Sequence, residues 1–291
     1  MTPVLLALGS AVLFGAMTVA LRLALRGHPE PDVGAVASTV VAVLVAAGAA
    51  ALDPGTGELS RPKELAVFAL AGLLAPGISQ ILFVLAVRDA GASRTAVVVG
   101  SAPLVAATMA IILLDEPFEW ALALGAVLIV GAGLLLVGEP VRSTGFRLAG
   151  IGFALGATVL FSSRDLVVRW YSDEASLGSI EAAAAALAAG AAVMVAWAAV
   201  VRRGALVRAL ATPALLRFLP AGVFFGLSYV LLFEAYYRGR VTVVSPLVAT
   251  ESLWGVLLSA LVLRQSEHVG ARLVACALLV VAGGALIGAS R

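Results

Sequence analysis

Long apolar runs alternate along the chain with short polar breaks. A helix needs about 20 mainly apolar residues to cross the hydrocarbon core of a membrane, and ten segments reach roughly that length. The breaks between them hold turn formers and charges, as at 53–57 and 115–117. The pattern predicts an all-α, polytopic membrane protein with ten transmembrane helices, at 3–25, 33–52, 64–87, 94–114, 120–138, 147–170, 178–201, 218–237, 241–263 and 269–289.

The composition supports a membrane protein and excludes several other classes. Apolar residues make up 62% of the 291 residues and charged residues 12%, about half the roughly 25% charged share of soluble domains. The net charge of +2 is too small for a nucleic-acid-binding surface. One cysteine and two histidines exclude a disulfide framework and argue against a zinc site. We therefore expect a lipid bilayer and a small molecule as partners, with no metal, cofactor or nucleic acid.

The basic residues bear on orientation. With ten spans, both termini lie on the same side of the membrane. Arg22 and Arg164 lie inside spans, and the other basic residues divide into eleven in the odd-numbered loops and six in the even-numbered loops and C-terminus. The positive-inside rule then places the odd-numbered loops, and not the termini, in the cytoplasm. The loop containing Arg202, Arg203, Arg208 and Arg217 dominates this count.

An internal repeat divides the chain into two halves. Residues 7–22 match 154–169 at seven of sixteen positions, among them Gly9 with Gly156 and Phe14 with Phe161. In a second register, 79–114 aligns with 228–263, so that Ser79-Gln80 falls on Ser228-Tyr229. Helices 1–5, at 3–138, thus repeat as helices 6–10, at 147–289. Because each half has an odd number of spans, the second half must be inverted, which is the plan of many secondary transporters.

Five short motifs carry a family resemblance: SAPL at 101–104, LDEP at 114–117, LGAVLIVG at 124–131, EAYYRG at 234–239 and VSPLVATE at 244–251. With the ten spans and the repeat, the chain resembles an EamA-type member of the drug/metabolite transporter superfamily, with two EamA repeats. The resemblance covers nearly the whole chain. It implies a basket of helices with a cavity lined by the first, third and fourth helix of each half, and export or exchange of a small metabolite.

The resemblance also implies a cell-membrane protein with both termini in the cytoplasm, which is opposite to the orientation that the Lys and Arg count favours. We take the family's orientation as the expectation. One departure from a related group is informative: small multidrug-resistance proteins carry a proton-binding glutamate in their first helix, whereas the only charge in the first span here is Arg22. Their mechanism therefore cannot be transferred to this helix.

Glu251 is the most conspicuous charge inside a span. It lies near the middle of 241–263, about 15 Å from either end at 1.5 Å per residue, and an acid at that depth usually faces a cavity or a partner. Its repeat equivalent is Ala102. We expect Glu251, beside Thr250, to bind a proton or a cationic group of the substrate. The alternative is a structural ion pair with Arg164.

Arg164 and Asp165 form the second charged position, in the sixth span. Helix neighbours point about 100° apart, whereas Asp165 and Arg169 have the favourable i, i+4 spacing. We therefore expect Asp165 to pair with Arg169, which leaves Arg164 for a substrate anion or for Glu251. The alternative is that Arg164 reaches the membrane interface through its long side chain.

Uncharged candidates follow from the repeat and from helix spacing. The equivalent residues Gln80 and Tyr229, with Ser228 and Ser101, are expected to line the cavity, and Tyr229 offers both a hydroxyl and an aromatic face. Trp254 is on the side of Glu251 at i+3, with lipid contact as the alternative. The interior prolines Pro103 and Pro246 are candidate hinges, because each removes a backbone hydrogen bond; a static bend is the alternative.

The sequence thus predicts a transporter without catalytic residues. We expect alternating access around a central cavity, with exchange, uniport and proton coupling all open. The alternative is a membrane protein that does not transport, either an assembly or signalling partner or an intramembrane enzyme. An enzyme would need convergent polar residues, and the predicted spans contain no histidine.

Overall fold

The fold is a bundle of helices that pack side by side. The computed structural model describes residues 2–27, 30–52, 62–105, 108–109, 120–137, 147–172, 175–239, 244, 247–263 and 270–289. The ten helices that we number are α1 (Pro3–Gly27), α2 (Pro31–Leu52), α3 (Pro62–Ala90), α4 (Ala92–Val105), α5 (Trp120–Val137), α6 (Ala149–Ser172), α7 (Ser179–Val201), α8 (Thr212–Arg238), α9 (Glu251–Val262) and α10 (Ala271–Ala289).

Six helices among the described residues, α1, α2, α3, α6, α7 and α8, are long and apolar enough to cross a membrane. Three shorter apolar helices occur at Ala92–Val105, Glu251–Val262 and Ala271–Leu286. The all-helical, multi-pass architecture therefore agrees with the sequence pattern. The count of ten crossings remains a prediction, because parts of the fourth and ninth spans, and with them Pro246, lie outside the described residues.

Helices α8 and α3 show features that the sequence pattern did not predict. Helix α8 begins at Thr212, six residues before the predicted start, with Pro213 in its first turn, where the missing N–H of proline costs nothing. The loop before it, predicted without structure, contains the short helix Arg203–Leu210. Helix α3 is interrupted by a π-helical segment, Leu73–Ile78, which contains Pro76 and an extended residue, Ala75. Sequence analysis named two hinge prolines and did not consider Pro76.

Contacts at the helix termini define two ends of the bundle. At end A, Glu64 at the start of α3 binds the segment before α7, and Pro3 lies against Gly239. At end B, Arg208 binds Glu30, and the Arg147 N–H donates to the Asp89 carbonyl at 2.7 Å. Pro3, at the start of α1, therefore belongs to end A, and Asp89, near the end of α3, belongs to end B.

The packing repeats when the two halves are exchanged. Helix α1 packs on α8 and α6 packs on α3, while α2 packs on α7, α4 on α9 and α5 on α10. A Cβ on Gly9 would lie 3.0 Å from Leu231 Cδ1, and a Cβ on the equivalent Gly156 would lie 3.1 Å from Leu82 Cδ1. The rings of the equivalent residues Phe14 and Phe161 touch at 5.9 Å between centroids. Equivalent residues meet in this way only close to a local two-fold axis.

The helical path is broken at equivalent positions in the two halves, once within α4 and once directly before α9. The break in α4 lies at Gly100-Ser101, and the break before α9 lies at Ala249-Thr250. At each break one hydroxyl donates to the carbonyl three residues earlier at 2.6 Å, Ser101 to Val98 and Thr250 to Leu247. The backbone N–H groups of Ser101 and Thr250 bind the same two carbonyls at 3.0 and 3.1 Å. The repeat has therefore kept this local geometry in both halves.

The two broken helices cross at very small side chains. A Cβ on Gly100 would lie 2.7 Å from Ser252 Cβ, and a Cβ on Gly255 would lie 2.3 Å from Ala96 Cβ. Real Cβ atoms do not approach so closely, so glycine is required at this crossing. The crossing fixes α9 against α4, and Glu251 is the first residue of α9.

We expect Gly255→Ala to destabilise the protein, because the new methyl group forces α4 and α9 apart. Overpacking of this kind costs about 1–3 kcal/mol. The measurement is thermal unfolding of the purified protein in detergent. Gly152→Ala is the matched control, since nothing lies within 4 Å of a Cβ there, and alanine gains about 0.5–1 kcal/mol over glycine inside a helix. Equal melting temperatures for the two variants would contradict the close crossing.

Candidate functional site

A buried group of charged and aromatic side chains lies between α6, α8 and α9. Arg164 is 3% exposed and Glu251 is 6% exposed. The Arg164 guanidinium donates to Asp165 Oδ1 from Nε at 2.9 Å and lies 2.7 Å from it through Nη2. Glu251 interacts electrostatically with both residues. We call Arg164, Asp165, Tyr229, Tyr236 and Glu251 the charged cluster.

The expected pairing of Asp165 with Arg169 is wrong. Asp165 binds its neighbour Arg164, and Arg169 Nη1 instead donates to the Ser172 hydroxyl at 3.3 Å. The Cα–Cβ directions of Arg164 and Asp165 diverge by about 100°. The arginine side chain is nevertheless long enough to fold back onto the next residue. The driving force is desolvation: two opposite charges enclosed by the same helices are costly unless they neutralise each other. Arg169 is close to end A and does not share that enclosure.

Two tyrosines of α8 complete the cluster. The Arg164 guanidinium carbon lies 4.6 Å above the centroid of the Tyr229 ring, within the range of a cation–π interaction. The Tyr236 side chain is close enough to the Asp165 carboxylate to interact with it. Sequence analysis did not single out Tyr236, although its spacing could have indicated it: Tyr229, Phe233 and Tyr236 lie at i, i+4 and i+7, on one face of α8.

Polar capacity in the cluster remains unused. Glu251 accepts no hydrogen bond and makes no ion pair within the described residues, and it is not fully enclosed. Arg164 Nη1 and the Tyr229 hydroxyl make no hydrogen bond of normal geometry there, although the two residues are close enough to interact. The cluster can therefore bind a ligand through one carboxylate and one guanidinium N–H.

Phe161 of α6 and two aromatic residues of the first half give the same site an apolar surface. Phe161, one turn before Arg164, lies 5.6 Å from the guanidinium carbon. Its ring contacts Phe14 of α1 at 5.9 Å and Phe83 of α3 at 6.1 Å. The hydroxyl of the next residue in α6, Ser162, donates to the Ala102 carbonyl at the break in α4, at 3.2 Å. Helices α1, α3 and α4 thus oppose α6, α8 and α9 around the site.

The sequence pattern suggested that Glu251 lies in the middle of a continuous helix. The structure places it elsewhere. It follows the break at Ala249-Thr250 and starts α9. An acid in the first turn of a helix is favoured, because the unpaired backbone N–H groups there carry partial positive charge. At this break, however, the N–H groups of Ser252, Leu253 and Trp254 are bound to the Ala249 and Thr250 carbonyls, so little of that charge is left unpaired.

Other predicted site residues have structural contacts of their own. The Ser101 and Thr250 hydroxyls close the two helix breaks. Ser228 and Ser10 exchange hydrogen bonds between α8 and α1, with hydroxyl-to-carbonyl distances of 3.1 and 2.9 Å. Gln80 donates to Ser38 of α2 at 3.4 Å, and no hydrogen bond or ion pair joins Gln80 to the charged cluster within the described residues. Contact of these residues with a ligand remains a prediction.

Two further predicted residues, Trp254 and Pro103, have packing environments that the structure describes. Trp254 is 37% exposed, and a Cβ on Gly15 would lie 2.9 Å from Trp254 Cβ. These facts favour the interpretation that Trp254 packs or faces lipid. Pro103 is buried as the second residue after the break in α4. The backbone hydrogen bond that Pro103 cannot donate would go to the Val99 carbonyl, in the turn that contains the break, so its role as a hinge remains a prediction.

Two acids near end A have structural partners. Glu181 accepts a hydrogen bond from the Gly178 N–H at 3.0 Å and so caps α7. Glu234 accepts from the Ser179 hydroxyl and pairs with Arg238. These contacts give both acids a structural role at end A.

The comparison with known proteins decides the family. The EamA-like transporter family matches residues 1–138 and 148–289. The chain belongs to the EamA-like transporter family. The predicted EamA membership, with two repeats, is therefore confirmed. As an EamA protein it is a multi-pass membrane protein of the transporter class, whose partners are a small-molecule substrate and the lipid bilayer.

Solved structures share the fold of this chain. Sixteen chains of known structure match this one. One of them, described only as a crystal structure of a protein, superposes with a TM-score of 0.69 at 19% identity, over 98% of this chain and 95% of that chain. At this identity the likeness concerns the fold alone. No curated protein matches the EamA chain in sequence.

Proposed function

We propose that this protein is a secondary transporter for a small amphiphilic metabolite, such as an amino acid, and that it works as an exporter or exchanger. Substrate binds at the charged cluster, and the two repeats, at 3–138 and 147–289 in inverted orientation, rock about it to give alternating access. The observation that supports the proposal is the cluster itself: buried charges with unused polar capacity, between the first, third and fourth helices of both halves.

The charges of the cluster indicate what it binds. Arg164 contributes one positive charge, and Asp165 and Glu251 contribute two negative charges when both are ionised. A buried site does not keep an unbalanced charge without cost. A proton on Glu251, or a cationic group of the substrate beside it, restores neutrality. Glu251 is therefore the proposed binding point for a proton or an amine, and Arg164 Nη1 the proposed donor to an anionic or neutral acceptor group.

The contrast between the two halves supports an amphiphilic substrate. The repeat equivalent of Glu251 is Ala102, and the equivalents of Arg164 and Asp165 are Met17 and Thr18. One side of the site is charged and the other presents Phe14 and Phe83. A solute with one polar and one apolar end would match both sides, because each end finds a surface of its own polarity.

Contacts between the halves at both ends support a rocking motion. At end A, Glu64 accepts hydrogen bonds from the N–H groups of Ser176 and Leu177 at 2.9 and 2.7 Å, and from the Ser176 hydroxyl at 2.9 Å. At end B, Arg208 pairs with Glu30, and Arg202 lies 3.5 Å from Asp32. Exposed polar contacts of this kind are worth little individually. They can therefore break and re-form without a large barrier.

The test is counterflow in proteoliposomes loaded with a pool of amino acids and related metabolites. We expect selective exchange of at least one pool member by the wild-type protein, and its loss in Arg164→Ala. Glu181→Gln is the control, because glutamine can replace glutamate in the cap of α7. Exchange that is equal in Arg164→Ala and wild type would overturn the proposed site. Absence of exchange for every solute would favour the non-transport alternative.

A further inference from the structure

The short helix between α7 and α8 has two distinct faces at end B. Ala205 and Ala209 are buried against the bundle, whereas Arg203, Val207 and Arg208 are exposed. The helix is followed directly by the first turns of α8, in which Arg217 is exposed. The result is a ledge at the end of the bundle with arginines and apolar side chains facing outward together.

Five arginines converge on this ledge. Arg202 and Arg208 belong to the ledge and pair with Asp32 and Glu30 at the start of α2. A Cβ on Gly27 would lie 1.7 Å from Arg217 Nη1, so this guanidinium lies over the end of α1, beside the exposed Arg26. Within the described residues the two acids leave a surplus of three positive charges, and no ion pair forms to Arg26, Arg203 or Arg217 there.

Exposed apolar side chains surround the arginines. Val200 and Val201 end α7 at 79% and 61% exposure, and Val207 and Leu216 are 71% and 63% exposed. In a membrane protein such side chains are covered by the acyl region, which sets the ledge at the depth of the lipid phosphates. Arginine side chains extend from that depth toward the headgroups, and the guanidinium fork fits a phosphate through two parallel hydrogen bonds.

We infer that this ledge, formed by Arg26, Arg203 and Arg217 with the neighbouring pairs, binds the phosphate of anionic phospholipid headgroups. The inference does not depend on the proposed transport function.

The experiment measures binding of short-chain phosphatidylglycerol and phosphatidylcholine to the purified full-length protein in a neutral detergent. We expect phosphatidylglycerol to bind more tightly than phosphatidylcholine and to raise the melting temperature. Arg203→Gln with Arg217→Gln should weaken phosphatidylglycerol binding about 25-fold, since each basic group near an anionic surface contributes about fivefold. Inorganic phosphate at the same concentration should compete poorly, because it lacks the acyl chains that the apolar side chains cover.

The matched control is Arg61→Gln with Lys63→Gln, which removes the same charge at the chain positions around the start of α3 and should leave phosphatidylglycerol binding unchanged. The melting temperature without lipid checks folding, and it should hold because the pairs of Arg202 and Arg208 are intact. Equal binding of the two lipids, equal losses in the two double variants, or full competition by inorganic phosphate would each overturn the inference.

Discussion

Replacing Glu251 with glutamine is expected to abolish proton-coupled net transport while leaving substrate exchange intact. Glutamine keeps the shape of the side chain at the start of α9 but cannot take up or release a proton. Exchange requires only that the substrate-loaded protein reorients, whereas net coupled transport requires the carboxyl group to change its protonation state. The measurement is net uptake driven by a pH gradient, compared with counterflow in the same proteoliposomes.

A matched control separates this effect from a general loss of fold. Glu181→Gln makes the same chemical change in the first turn of α7, and glutamine serves there as a capping residue, so both activities should remain. The Glu251 carboxylate has no hydrogen bond to lose within the described residues, so Glu251→Gln should also fold. If net uptake survives unchanged in Glu251→Gln, the coupling role is wrong.

Arg164→Met is expected to destabilise the protein strongly, and a second substitution is expected to reverse the effect. Removing the guanidinium leaves the Asp165 carboxylate, which is 18% exposed, without its partner; for a fully buried pair this costs about 3–5 kcal/mol, which is the upper bound here. In Arg164→Met with Asp165→Asn both charges are gone, and such neutral replacements are often close to wild type in stability. The measurement is the melting temperature of the single and double variants in detergent.

The same double variant tests whether Arg164 also binds substrate. If the guanidinium serves only to neutralise Asp165, the restored fold should restore exchange. If Arg164 Nη1 donates to the substrate, exchange should stay lost although the melting temperature recovers. A single variant as stable as wild type would show instead that the ion pair is not enclosed, and would contradict the geometry at Asp165.

The sequence identified the class and the general location of the candidate site, but not its pairing. Depth inside an apolar run was enough to mark Arg164 and Glu251, because burying a charge in a membrane is costly wherever the helix goes. The partner of Asp165 was predicted incorrectly from helix geometry alone. Arg164 and Arg169 compete for this carboxylate, and the outcome depends on which of them α8 and α9 enclose with it.

Tyr236 and the two helix breaks show a further limit. Tyr236 lies in an aromatic-rich segment, and its role depends on the distance between α6 and α8, which no spacing within one helix determines. The breaks at Gly100-Ser101 and Ala249-Thr250 have no proline at the break itself, and a serine or threonine hydroxyl inside an apolar run is compatible with a continuous helix. The repeat could have drawn attention to the equivalent hydroxyls only after the break in one half was known.

By itself the sequence determined that this is a multi-pass helical membrane protein of the EamA-like family with two repeats. Those conclusions depend on the length, apolarity and order of segments, which are properties of the chain. Tertiary structure decided which charges neutralise each other, that Glu251 starts a helix after a break, and that five arginines meet on one ledge at end B. These depend on contacts between residues far apart in sequence, whose energies are set by shared burial and not by local pattern.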